Sequence, residues 1–133
     1  MSSGVMSRAR ILLVDREGSE RDGLQEVLEH NGFEVIPSAG VTQASDAIAS
    51  QRFDALITDL HISNPEDVLA TITAMRLSQP WAMTVCLCSL SDNQELFRHA
   101  DHVLEKPIAV KQLIGFLRSG IGKRQSQSES SPF

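Results

Sequence analysis

Apolar and polar residues fall along the chain in blocks with two different periods. Residues 10–15, Arg-Ile-Leu-Leu-Val-Asp, form a continuous apolar run closed by an acid. Such a run suits a strand buried on both faces of a parallel sheet. Residues 53–59, Phe-Asp-Ala-Leu-Ile-Thr-Asp, repeat the pattern and again end on an acid. Shorter runs at Phe33 to Pro37, Thr84 to Ser89 and His102 to Lys106 predict three further strands. Between them the apolar spacing becomes helical. Ser19 is expected to cap a helix carrying Leu24, Val27 and Leu28, with Asp22 as its capping-box partner and Gly32 as its stop. Thr42 to Ser50 carries Ala44, Ala47 and Ile48. Asn64-Pro65-Glu66-Asp67 is the clearest helix start: Asn caps, Pro fits the first helical position, and two acids favour the positive end of the dipole. Val68, Leu69, Ile72 and Met75 then form its buried stripe. Ser91 to His99 predicts a short helix anchored by Leu96 and Phe97, and Val110, Leu113, Ile114, Leu117 and Ile121 mark a last one. Five β units alternating with five α units imply an α/β fold, a doubly wound five-stranded parallel sheet with helices on both faces.

Composition narrows the class. The 133 residues correspond to one domain at ~150 residues per domain. It is expected over 10–121, after a flexible N-terminus (1–9) and before a disordered polar tail (122–133) of Gly, Lys, Arg, Gln and Ser. Aromatic residues are 5% of the chain, with one Trp and no Tyr. The core is therefore expected to be aliphatic, and an aromatic stacking platform for bases is not expected. A net charge of −5 disfavours direct nucleic-acid binding. No apolar run reaches the ~20 residues of a membrane span, and Met1 to Arg10 lacks the apolar stretch of a signal peptide. A soluble, cytoplasmic domain without membrane attachment is expected. Cys86 and Cys88 lie on one face of the fourth strand and read as small buried hydrophobes, since a Cys-x-Cys with no further partner is no zinc site.

In doubly wound sheets, ligands bind at the carboxyl ends of the strands. Strand one ends at Asp15-Arg16-Glu17, strand three at Asp59, strand four at Ser89 and strand five at Lys106-Pro107. No Gly-x-Gly-x-x-Gly follows strand one, and no phosphate-binding Gly-rich loop is present. A carboxylate beside a hydroxyl and a Lys is what an aspartyl-phosphate site needs. The Asp is the nucleophile, Ser and Lys bind phosphoryl oxygens, and a divalent cation offsets the charge. Each residue also has a plainer role open to it: Asp59 as a strand-end cap, Ser89 as a helix cap, Lys106-Pro107 as a strand terminus, and His61 as a loop residue.

Taken together, Ile-Leu-Leu-Val-Asp at 11–15, Asp-Ala-Leu-Ile-Thr-Asp-Leu at 54–60, Ser89 and Lys106-Pro107 resemble the receiver domain of two-component response regulators over roughly Arg10 to Leu117. The resemblance implies a flavodoxin-like (βα)5 fold and a signalling module rather than an enzyme. It implies that Asp59 accepts a phosphoryl group from a sensor histidine kinase or a phosphotransfer protein. Asp15, Asp59 and the backbone carbonyl of His61 would hold Mg2+, with Glu17 as a further candidate ligand. Ser89 and Lys106 would read the phosphorylated state for a downstream protein effector. The cognate kinase, the effector and the oligomeric state stay open, a homodimer among the states.

The departures from the family pattern matter too. Arg16 stands where a second acid is usual, Val103 where a switch aromatic is usual, and the stretch from Ser89 to Lys106 is short. Together with Lys106, an inward guanidinium at Arg16 would neutralise Asp15 and Asp59 and compete with magnesium. The alternative reading is therefore a pseudo-receiver, an interaction module that is not phosphorylated. A dehalogenase-type phosphatase is disfavoured, because it needs an acid where His61 stands.

Overall fold

The computed structural model describes residues 8–16, 18–59, 65–88 and 96–130, with 65, 96, 97 and 123–130 described by backbone alone. Its elements run β1 (Arg10–Val14), α1 (Ser19–His30), β2 (Glu34–Ser38), α2 (Val41–Ser50), β3 (Ala55–Asp59), α3 (Pro65–Ser78), β4 (Met83–Cys88), α4 (Leu96–His99), β5 (His102–Glu105) and α5 (Val110–Ser130). The strands form one parallel sheet in the order β2-β1-β3-β4-β5.

The two-residue period of the strands sorts their side chains between two cores. Ile11 and Leu13 of β1, Ala55 and Ile57 of β3, and Val85 and Leu87 of β4 face α1 and α5, where they meet Leu28, Leu113, Ile114 and Leu117. Leu12, Val14, Leu56, Cys86 and Cys88 face the other way, onto Ala44 and Ile48 of α2 and Val68, Ile72 and Met75 of α3. β1, β3 and β4 are buried at nearly every position, which is why they read as unbroken apolar runs. Both cysteines are buried.

Two expectations change. Ser19 lies inside α1 instead of capping it. Gly18 takes the cap position at φ 155°, and no side chain closes the helix start. An L side chain rarely adopts that backbone conformation, so glycine suits this sharp turn out of the rim. At the other end, α5 continues through 122–130 to Ser130, where a disordered tail was expected. Extending a helix that tertiary packing has already nucleated needs no new nucleus, and Lys, Arg, Gln and Glu have good helix propensity.

Two glycines of α5 respond oppositely to a methyl group. A Cβ at Gly115 would meet nothing within 4 Å, whereas one at Gly120 would come to 2.5 Å from the Sδ of Met83, a side chain 1% exposed. Gly115→Ala should stabilise the domain by about 0.5–1 kcal/mol through helix propensity. Gly120→Ala should lose that gain and more, because Met83 must move within a filled core. Urea denaturation of the two variants checks the contrast; equal gains would show that Met83 swings aside freely.

Candidate functional site

The site follows from strand register. Val14 pairs with Thr58, so the next residues, Asp15 and Asp59, emerge side by side at the carboxyl edge of the two central strands. β2 and β3 flank β1 on opposite sides, which makes this the switch point where a doubly wound sheet opens a crevice. Asp15 is fixed by its backbone N–H, which donates to Ser38 O at 3.0 Å. Lys106 follows β5 and is fixed by its N–H, which donates to Cys88 O at 2.8 Å. Its ammonium then reaches across the rim and pairs with Asp59 Oδ2. The same ammonium donates to Oε1 of Glu20, in the first turn of α1, at 3.1 Å. These four residues line one cleft of about 390 Å3, which continues between α1 and the β5–α5 connection over Leu24 and Ile108.

Asp15 and Asp59 are 6% and 2% exposed. Burial raises the pKa of Asp15 above the usual carboxylate value, and the negative charge of Asp59 raises it further. The Arg16 N–H, donating to Asp15 Oδ1 at 2.8 Å, offsets part of this. For Lys106, burial pulls the pKa down, but hydrogen bonds to Asp59 and Glu20 outweigh it and the net shift is upward. Two buried carboxylates and Glu20 against one ammonium leave the cleft net negative.

The Asp15 shift has a stability consequence. A carboxyl whose folded pKa is raised binds its proton more tightly in the native state than in the unfolded chain. Stability therefore falls as pH rises from the unfolded value toward the folded one, and the cost stays in place above it. Asp15→Asn should raise the melting temperature at neutral pH in the presence of a chelator, and the gain should shrink as pH drops toward 4. A gain independent of pH would show that the charge of Asp15 is not its source.

The structure brings together Asp15, Asp59 and Lys106 of the residues singled out in the sequence. Arg16 behaves otherwise than expected. It is exposed, and among the described residues its guanidinium forms no ion pair with Asp15 or Asp59; its contribution to the site is its backbone N–H. Lys106 already supplies a cation to Asp59, and a guanidinium turned inward would have to give up its own hydration. Val103 is half-buried, packs toward the α2–α3 core and sits beside Cys86. The neighbouring ring of His102 stacks on Phe116 at 4.5 Å between centroids, so this histidine is a packing residue and not a free surface one. Ser89, His61 and Glu17 lie outside the described residues. Glu20 is the site residue that sequence reasoning missed. Helical spacing could have found it, since Glu20, Leu24 and Val27 share the stripe of α1 that lines the cleft.

Comparison with known proteins agrees with this fold. The chain is 30% identical over 115 residues to the sensory/regulatory protein RpfC of Xanthomonas campestris pv. campestris, covering 81% of this chain and 16% of that protein. It is 27% identical over 124 residues to the response regulator MprA of Mycobacterium avium, covering 91% and 54%. A CheY-like response regulator receiver domain protein from Methanospirillum hungatei superposes with a TM-score of 0.79 at 20% identity, covering 91% of this chain and 99% of that one. The fold is that of a response-regulator receiver domain. No family model matches the chain. The receiver-like region spans about half, or less, of the length of these curated relatives. Receiver domains are in general signalling modules rather than enzymes, and they generally bind Mg2+ at the phosphorylation site. Among the described residues, no helix is long and apolar enough to cross a membrane.

The donor set here fits such an ion. Among the described residues no three of His, Cys, Asp and Glu cluster as a closed ligand set. Magnesium, however, keeps several of its waters and needs only one or two carboxylates. Asp15 and Asp59, buried and adjacent in a net negative cleft, meet that requirement.

Proposed function

We propose that this receiver domain is a phosphorelay switch. Asp59 accepts a phosphoryl group from the phosphohistidine of a sensor kinase or phosphotransfer protein, and the modified cytoplasmic domain signals by binding a downstream protein. The observation that carries this reading is the ammonium of Lys106 on a buried Asp59 with the carboxylate of Asp15 alongside. A carboxylate oxygen of Asp59 attacks phosphorus. The new P–O bond forms as the P–N bond to the imidazole breaks, and the electron pair leaves with the ring nitrogen. Lys106 would follow the charge onto the phosphoryl oxygens, and Ser89, the residue after Cys88 in the sequence, would bind a neighbouring oxygen. Asp15 and Asp59, with the carbonyl of His61 as a further expected ligand, would hold a magnesium ion, which would supply positive charge to offset the anionic phosphoryl oxygens.

Incubation with acetyl phosphate and magnesium, followed by intact-mass measurement, tests the reading. The expected result is a gain of one phosphoryl group. An unmodified protein at high magnesium would instead identify an interaction module that has lost the chemistry. The exposed side chain of Arg16 supports the first outcome, because it leaves the pocket open to the ion.

A further inference from the structure

We propose that Glu20 is a positioning residue that competes with the group on Asp59 for the ammonium of Lys106, and so weakens phosphoryl occupancy of this receiver. The inference rests on the reading of Asp59 as phosphoacceptor. Its observation is the shared ammonium: Lys106 Nζ pairs with Asp59 Oδ2 and with Glu20 Oε1 at 3.1 Å. The two carboxylates differ in setting. Asp59 is buried at the strand end, and Glu20 stands on the rim with its side chain 74% exposed.

Lys106 has one positive charge to distribute. When Asp59 carries a phosphoryl group, the charge at its tip becomes more negative and moves outward along the cleft. Lys106 must then turn to that group, and the Glu20 contact pulls against the movement. Glu20 also places a negative charge on the wall of the cleft that an anionic group must enter. Both effects disfavour the anion. Toward a cation the sign reverses, because the same carboxylate adds to the negative field of Asp15 and Asp59. Glu20 returns to the cleft the negative charge that an acid at the Arg16 position would have given it. An exposed ion pair is worth a fraction of a kcal/mol, so the effects are about two- to fivefold, far short of all-or-none.

The opposed signs supply the test. Mg2+ affinity of the full chain is measured by calorimetry. Beryllofluoride affinity is measured by fluorine NMR at saturating magnesium. Both are run on wild type, Glu20→Gln and Asp22→Asn. Asp22→Asn removes an equal charge from the same first turn of α1 but is not placed in the cleft. The expected result is that Glu20→Gln binds beryllofluoride about two- to fivefold tighter and Mg2+ about two- to fivefold weaker, with Asp22→Asn near wild type. Weaker binding of both ligands would mark Glu20 as merely structural and overturn the proposal. Equal shifts in the two variants would assign the effect to diffuse charge and also overturn it. Unchanged affinities in Glu20→Gln, with wild type binding both ligands, would remove the role of Glu20 and leave the phosphoacceptor reading standing. A wild type that binds neither ligand would remove both.

Discussion

Asp59→Asn should abolish labelling by acetyl phosphate and binding of beryllofluoride, while leaving the domain folded. The substitution keeps the shape of the side chain and removes the nucleophile, so its loss of reactivity is complete rather than graded. Two changes in stability oppose each other. Lys106 loses its buried anionic partner and, among the described residues, keeps the exposed Glu20, which costs stability. Asp15 loses the adjacent negative charge that raises its pKa, which relieves it. The net change should stay within about 1–2 kcal/mol. Intact mass, fluorine NMR and urea denaturation on the same sample separate the two consequences. A variant that still gains a phosphoryl group would place the acceptor elsewhere on the chain. A variant that unfolds would make Asp59 primarily structural.

The parts of this molecule that sequence made legible are those where burial leaves few choices. A strand covered on both faces must be apolar throughout, so Ile11 to Val14 and Ala55 to Ile57 announced themselves, and the acids that close them had to lie on one edge. The stripe of Leu113, Leu117 and Ile121 fixed α5 in the same way. Other features depend on contacts between distant segments. Glu20 and Lys106 are 86 residues apart, and nothing local to either marks the pairing. Arg16 could be weighed only by formal charge, which favours an inward guanidinium. Exposure shows that hydration and the prior claim of Lys106 decide otherwise. Ser19 has the chemistry of a cap, yet the chain turns at Gly18, because the backbone leaving Asp15 needs a positive φ before the helix begins.

With the Arg16 side chain exposed, Glu20 is the third carboxylate of the described cleft beside Asp15 and Asp59. It stands on the ammonium's side, paired with Lys106, so its charge acts on Lys106 as well as on a cation in the cleft.

Gln79→Leu should be the most destabilising change at the opposite end of the sheet, by about 3–5 kcal/mol, without altering the chemistry at Asp59. Gln79 is 4% exposed, directly after α3. Its Oε1 accepts from the Phe53 N–H at 2.6 Å, and its Nε2 donates to Ile48 O at 3.0 Å and Gln51 O at 2.7 Å. One amide thus closes the end of α2 and fixes the chain where it turns into β3. Leucine has a similar volume but satisfies none of the three, and each orphaned buried group costs about 1–3 kcal/mol. The Phe53 N–H is the most costly, because its residue is fully buried. Gln79→Glu would keep the acceptor but turn an oxygen toward two carbonyls, so it should rescue little. Urea denaturation should show a lower midpoint with unchanged slope, and beryllofluoride affinity of the folded protein should match wild type. A cost below about 1 kcal/mol would mean that water from the adjoining cleft of about 400 Å3, lined by Ile48, Gln51 and Trp81, takes over the bonds of the amide.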